Sequence, residues 1–357
     1  MFKFSVKKSN YDCLINDIMI IRVILFVTLL TSLFLGCNKE KNTPYTSTTL
    51  SGVEVSTFMY QIQHLDDNTE IDELAATDYD MLIVEPGFNF TESPYDINYL
   101  VDNLKTKSNG DKRLLLAYID IGQAEDYRTY WEDDWVAPTV NASGSPEFLV
   151  TIDPDGWSGN YPVAYWDTLW QNIWLEDGGL IDQITAFGFD GVYLDWVEAY
   201  DDDLVRAYAG TEGKNTESEM MAFINGIKEK GKASNPNFLV IAQNAPYLLD
   251  ANPSLYASII DAIATEDTWF YGEGDSEWDD PEAGGLKGGE RHQDDYSTKN
   301  RIIQSEKYLE LGIPVFTVDY CLSSRNAKSV YKKSRKYGFI PLVTQVSLSA
   351  ITDTPPF

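Results

Sequence analysis

Short apolar runs recur along the chain, and longer amphipathic stretches separate them. The runs are VSTFMYQI (55–62), MLIVEP (81–86), LLLAYID (114–120), GVYLD (191–195), FLVIAQN (238–244), DAIATED (261–267) and PVFTVDY (314–320). Nearly unbroken apolar character, ending in polar residues, is how a strand buried on both faces reads. The clearest intervening helix covers 218–231, where Met220, Phe223, Ile224 and Ile227 share one face. Thr216 and Glu219 have the spacing of a capping box at its start. Another helix, 298–311, stops at Gly312 and Pro314. Alternating strands and helices predict a parallel sheet.

An eighth strand would close that sheet into a barrel. Either FLVTID (148–153) or PVAYWD (162–167) supplies it as the fourth in order, which leaves FIPLVTQ (339–345) as an extra strand or an irregular end. The expected fold is therefore α/β, a single-domain (β/α)8 TIM barrel. No GxGxxG or GxxxxGK[ST] opens a helix after a strand, which counts against a nucleotide site.

The N-terminal segment has a different pattern. MIIRVILFVTLLTSLFLGC (19–37) holds one Arg and a continuous apolar stretch before Gly36-Cys37, the layout of a signal peptide rather than of a membrane span. Its end resembles a bacterial lipobox, which implies that Cys37 becomes the lipidated first residue. Residues 1–37 are thus expected to be signal and lipobox, with Met19 the better start. Residues 38–50 read as a polar tether, and 51–357 as the barrel. The expected location is the cell envelope, on the outer membrane or the cell surface, with a secreted or periplasmic protein as the alternative.

Composition narrows the chemistry. A formal net charge of -29 argues against nucleic acid and anionic membrane surfaces as partners, so membrane contact is expected only through the lipid anchor. Nothing in the sequence sets the oligomeric state. Cys13, Cys37 and Cys321 form no CxxC pair, and the only histidines, His64 and His292, lie far apart. Neither a disulfide framework nor a zinc site is supported, and no metal or other cofactor is expected. The acidic loop 275–286 lacks the central Gly and final Glu of a calcium loop.

Strand after strand ends in a polar group: Glu85, Asp120, Asp153 or Asp167, Asp195, Asn244, Glu266 and Asp319. In a barrel those ends converge on the catalytic rim. Alternation places Gly191, Tyr193 and Asp195 on one face and Ala262, Ala264 and Glu266 on another, each facing inward. The alternative is that some of these acids cap the following helices, a role that suits Glu85 and Glu266 poorly. Tyr118, Trp157, Tyr161, Tyr165, Trp166, Trp196, Trp269 and Tyr271 gather at the same ends. Aromatic planes beside paired acids suit a sugar ring, although such rings also fill the interface between barrel and helices. With no GxSxG and no base beside Cys321, a carboxylate pair is the remaining chemistry, as in glycoside hydrolysis.

These residues carry a resemblance. LLLAYIDIGQAEDYRTYW (114–131), YPVAYWDTLWQ (161–171), GFDGVYLDWVEAY (188–200), AQN (242–244), IATED (263–267) and VDY (318–320) resemble, in this order, glycoside hydrolase family 114-type TIM barrels, the endo-α-1,4-polygalactosaminidase-like proteins. The resemblance covers residues 53–345. It implies a catalytic pair at the ends of the fifth and seventh strands, matched here by Asp195 and Glu266, the two that alternation also selects. It further implies a pocket lined by Tyr118, Glu125, Arg128, Asn244 and Tyr320. Asp120, Trp166, Asp167, Trp196 and Asp319 join the expected substrate-binding set from their strand-end positions.

The expected activity is hydrolysis within a polysaccharide, such as a galactosamine-containing polymer whose free amines would suit an acidic rim. Glu266 is expected to act as the proton donor and Asp195 to work ionised. Glu198 and Asp201–Asp203 read as a solvated, acidic first helical turn. The alternatives are a non-catalytic carbohydrate-binding surface lipoprotein, or another carbohydrate-active enzyme such as a lyase or deacetylase.

Overall fold

Eight parallel strands form one sheet in chain order: β1 (Phe58–Gln61), β2 (Met81–Val84), β3 (Leu114–Asp120), β4 (Gly191–Asp195), β5 (Leu239–Gln243), β6 (Ala262–Glu266), β7 (Val315–Tyr320) and β8 (Ile340–Thr344). This computed structural model describes residues 46–65, 67–86, 96–271, 286–287, 296–321 and 323–352. The segment 1–37 with Cys37, most of the tether, and nearly all of the loop 275–286 lie outside them. The strands β1 and β8 lie side by side without a ladder. Instead the Ile62 and Gln63 amides donate to the Leu348 carbonyl at 3.0 and 3.2 Å. The result is a nearly closed (β/α)8 TIM barrel.

The eighth strand is the 339–345 run, and neither candidate for a fourth strand belongs to the barrel. FLVTID and PVAYWD both lie in the connection between β3 and β4, where they pair with each other. Val150 donates to Pro162 at 2.9 Å and Ala164 to Phe148 at 2.8 Å. Phe148 packs locally against Trp135 and Trp170, and Trp170 meets Trp174. Asp195 therefore ends the fourth strand and Glu266 the sixth, one place earlier than the strand count predicted.

The helices obey their sequence signals closely. The helix expected over 218–231 spans Thr216–Ser234, with Met220, Phe223, Ile224 and Ile227 buried. Its cap is Asn215, whose side chain accepts from the Ser218 amide at 2.8 Å; Thr216, expected to cap, is already inside the first turn. Thr298–Glu310 is the helix expected over 298–311.

The barrel floor carries a repeated device. Asp80, Asp190 and Asp261 each stand just before a strand and accept amides at the entry of the preceding one: Asp80 from Ser56 and Thr57, Asp190 from Leu115, Asp261 from Val240. Each is matched by a lysine, respectively Lys107, Lys105 and Lys228. The hairpin Thr48–Leu50/Val53–Val55 lies at this same end, so residues read as the end of the tether already belong to the fold. Ser51 donates to the Asn237 carbonyl at 2.7 Å, just before β5. Thr46 reaches the Arg335 carbonyl, at the end of the helix leading into β8.

Candidate active site

Inward-facing rings fill the barrel below its rim. Phe58 meets Phe316 edge-on at 5.1 Å across the interior, and Tyr60 packs on Tyr193 at 5.1 Å and on Tyr118 at 6.0 Å. Register then sets what lies above them: Tyr118 pairs with Tyr193, and one level higher Asp120 pairs with Asp195. Three successive strands leave the rim through left-handed residues, Trp196 (φ 53), Asn244 and Ala245 (φ 54 and 51) and Asp267 (φ 59). Such backbone costs about 1–2 kcal/mol per residue, and strain gathered in this way marks a site held by its surroundings. Gly122 belongs to the same construction. A Cβ there would lie 2.1 Å from the Trp196 carbonyl oxygen, so only glycine lets the loops after β3 and β4 meet.

Asp195 accepts from the Tyr118 hydroxyl at 2.6 Å and from the Trp196 amide at 2.8 Å. Burial, and then the charge of Glu266, push its carboxyl up to about 7 despite those hydrogen bonds. Glu266 is clamped on both oxygens, by the Tyr320 hydroxyl and by Asn244 Nδ2 at 3.0 Å. Its own amide donates to Asn244 Oδ1 at 3.0 Å, and Arg301 holds its carbonyl at 2.6 Å. Asp120, buried beside them, spends one oxygen on the Gly122 and Gln123 amides. Burial and the charges of Glu125 and Asp195 raise its carboxyl well above the usual range.

Among the described residues, one cation pairs directly with carboxylates of this group. Arg128 is buried and bridges Glu125, at 2.7 and 3.1 Å, to Glu85, at 2.9 Å, while Tyr127 donates to Glu125. Burial alone would weaken the guanidinium's hold on its proton; Glu125 and Glu85 more than offset that. The sequence-predicted set Tyr118, Asp120, Glu125, Arg128, Asp195, Asn244, Glu266 and Tyr320 is thus brought together, linked by hydrogen bonds and mutual electrostatics. Trp196 stands half-buried at the same rim.

Other expected site residues have structural work instead. Asp167 caps the helix Thr168–Leu175, accepting from the Leu169 amide at 2.7 Å. Trp166 is buried against Tyr165 and Tyr208, its Nε1 on Glu212 at 2.6 Å. Tyr165 is spent on the Thr216 carbonyl and Trp269 on Ser334. Asp319 faces the opposite side of β7 from Tyr320 and accepts the Trp269 and Phe270 amides. Two neighbours in a strand cannot both face the barrel interior, and the alternation of VDY was the signal that separates them.

Glu198 is the residue that sequence reasoning missed. It lies in a 3-10 turn, Val197–Asp201, that Trp196 folds back over the rim. Its Oε2 is buried rather than solvated. Burial first, and Asp195 second, push its carboxyl up to about 8. The buried residues around it, Val197, Ala199 and Tyr200, were the available signal. Asp201–Asp203 do read correctly, since Asp202 caps the helix Asp203–Glu212. Among the described residues no group of three or more acids, histidines or cysteines is arranged to hold a metal ion.

A parallel barrel with carboxyls held by tyrosines at its C-terminal rim has the layout on which TIM-barrel glycosidases are built. The chain belongs to glycoside-hydrolase family GH114, whose model matches residues 44–355, and it is a glycoside hydrolase. An uncharacterized protein of Deinococcus radiodurans is 30% identical over 288 residues, which are 81% of this chain and 80% of that one. The glycoside hydrolase domain of PelA from Pseudomonas aeruginosa superposes with a TM-score of 0.57 at 14% identity, covering 85% of this chain and 97% of its own. Aspergillus fumigatus Ega3, solved in complex with galactosamine, gives 0.54 at 14% identity, covering 87% and 95%. At that identity the two structures speak for the fold.

Proposed function

We propose that this enzyme cleaves within a galactosamine-containing polysaccharide, with Asp195 and Glu266 as the working pair. The observation that carries this reading is the arrangement of the two carboxyls. Both project inward from the barrel strands into one mouth, each fixed by a tyrosine, and the charge of Glu266 raises the proton affinity of Asp195. Glu266 gives a proton to the leaving glycosidic oxygen as the C1–O bond breaks. The positive charge that develops on the ring faces an ionised Asp195, and water supplies hydroxide to C1 and returns the proton. A substrate ammonium close to Asp195 favours its ionised form, because nearby positive charge drives the proton off a carboxyl.

The likeness to a protein solved with galactosamine supports the sugar, and the surplus of rim acids over Arg128 and Arg301 among the described residues supports a cationic polymer. We place the enzyme in the cell envelope, tethered through a lipid on Cys37. The test is incubation of the purified protein with partly de-N-acetylated galactosamine polymer. Shorter oligosaccharides should accumulate with wild-type protein and not with Asp195→Asn. Monosaccharide alone, unsaturated products or released acetate would each contradict the reading.

A further inference from the structure

Tyr127 is 47% exposed, more than any other aromatic residue among the described ones, yet it is firmly held. A short antiparallel ladder, Gln123–Glu125 with Asn160–Pro162, fixes the backbone just before it. The Asp126 amide extends that ladder onto the Gly159 carbonyl at 2.9 Å. The phenol hydroxyl donates to Glu125 and stands 3.2 Å from Asn160 Oδ1. Asn160 is held in turn, its Nδ2 on Gln123 Oε1 at 3.2 Å. The Arg128 guanidinium lies over the ring, 5.1 Å from its centroid. A ring fixed at its tip and backed by a neighbour loses little freedom when a ligand covers its open surface.

Asp126 stands beside the ring with its charge unshared. It is exposed, and its Oδ2 accepts from the Tyr161 hydroxyl at 3.0 Å. Among the described residues no lysine or arginine pairs with it, and its neighbour Arg128 is committed to Glu85 and Glu125. A Cβ on Gly159 would lie 2.7 Å from Asp126 Oδ1 and 3.3 Å from Tyr127 Cδ1. Glycine at 159 therefore leaves the carboxylate and the ring side by side. The ladder itself is tied to the rim, because the Gln123 amide donates to Asp120 at 2.8 Å and Asp120 pairs in register with Asp195. Ring and carboxylate thus flank the mouth on the side of β2 and β3.

We infer that Asp126 and Tyr127 form a subsite for one amino-sugar unit of the polymer, to one side of the bond that breaks. The C–H face of the pyranose packs on the Tyr127 ring, and the ammonium of the same unit meets the Asp126 carboxylate. A free amine is selected over an acetamide there, because the acetamide brings no charge to the carboxylate. The subsite rests on the proposed substrate. A tyrosine that only braced Glu125 would need its hydroxyl and not an open ring, and that difference is measurable.

The experiment uses the full chain carrying Asp195→Asn as parent, titrated calorimetrically at low salt. The ligands are two α-1,4-linked galactosamine hexamers, one with free amines and one fully N-acetylated. Tyr127→Ala should weaken the free-amine hexamer on the order of tenfold, whereas Tyr127→Phe, which keeps the ring, should retain most of the affinity. Asp126→Asn still accepts from Tyr161; it should weaken the free-amine hexamer about threefold, the scale of an exposed ion pair, and leave the N-acetylated one unchanged. Equal losses in Tyr127→Phe and Tyr127→Ala overturn the subsite, since the hydroxyl alone would then matter. An undiminished preference for the free amine in Asp126→Asn overturns it too. A parent that binds neither hexamer overturns the subsite together with the proposed substrate; one that binds and loses nothing in Tyr127→Ala overturns the subsite alone. Hydrolysis of a hexamer by the parent would end the assignment of the pair, and the same ratios between variants, read from KM, would still decide the subsite.

Discussion

Asp195 is pulled two ways. Tyr118 and the Trp196 amide favour its charge, whereas burial and Glu266 oppose it, and the opposition prevails. If the reaction uses Asp195 ionised, kcat/KM should fall below an acid limb near pH 7, and substrate should move that limb to lower pH in kcat. Glu266→Gln should lower turnover by about 10²–10⁴-fold, the usual cost of losing a proton donor, with binding retained. The same electrostatics predict a gain in stability. Because the folded carboxyl of Asp195 is raised above its unfolded value, the folded state binds the extra proton. Stability is then full below about pH 4 and is lost as pH rises towards 7. Asp195→Asn, permanently neutral, should therefore be more stable than wild type at pH 8, by on the order of a few kcal/mol, and should melt like wild type near pH 3.5. Calorimetry at the two pH values checks it. Asp195 and Glu266 were legible because strand alternation aims them inward and Glu rarely caps a helix. Glu198 was not, because the acidic run behind it looks like open solvent, and only tertiary packing buries its Oε2.

Elements explain why the rest of the reading held or slipped. Parallel strands buried on both faces must be apolar throughout, so seven of the eight barrel strands stand out from their surroundings. FLVTID and PVAYWD are equally apolar, yet they pair with each other within one long connection, where Trp135 and Trp170 cover Phe148. Hydrophobicity records burial, not the partner that provides it. The three floor aspartates show the converse, for Asp190 in GFDGV reads like a loop residue but ties β4 to β3. Asp190→Ala would leave the Leu115 amide buried and unpaired, at a cost of about 1–3 kcal/mol. Urea unfolding should show that loss, while turnover per folded molecule should stay the same, since the floor lies opposite the rim. Gly191 is bound to its place by the same packing, because a Cβ would lie 2.2 Å from the Leu239 carbonyl oxygen.

At the scale of the molecule, the charge of -29 has two parts: a solvated surface, and a rim where acids outnumber the cation they share. If the substrate is a cationic polymer, its binding should weaken as salt rises, because charges farther apart than about 8 Å are screened at physiological ionic strength. A fully N-acetylated polymer should show little salt effect, and titration of both polymers across salt concentrations separates the cases. Anchoring has its own check: Cys37→Ser should lose fatty-acid label and membrane retention, because acyl chains supply that affinity. The path of the chain at Thr46 and Ser51 adds a mechanical consequence. Both residues are bound at the floor end of the strands, so a pull transmitted through Thr46 is borne by the side of the barrel opposite the rim. Protein coupled to a resin by its N-terminus should thus digest long polymer as freely as in solution. Coupling through Asp203→Cys, exposed just beyond the β4 rim, should spare short oligosaccharides and shut out the long ones.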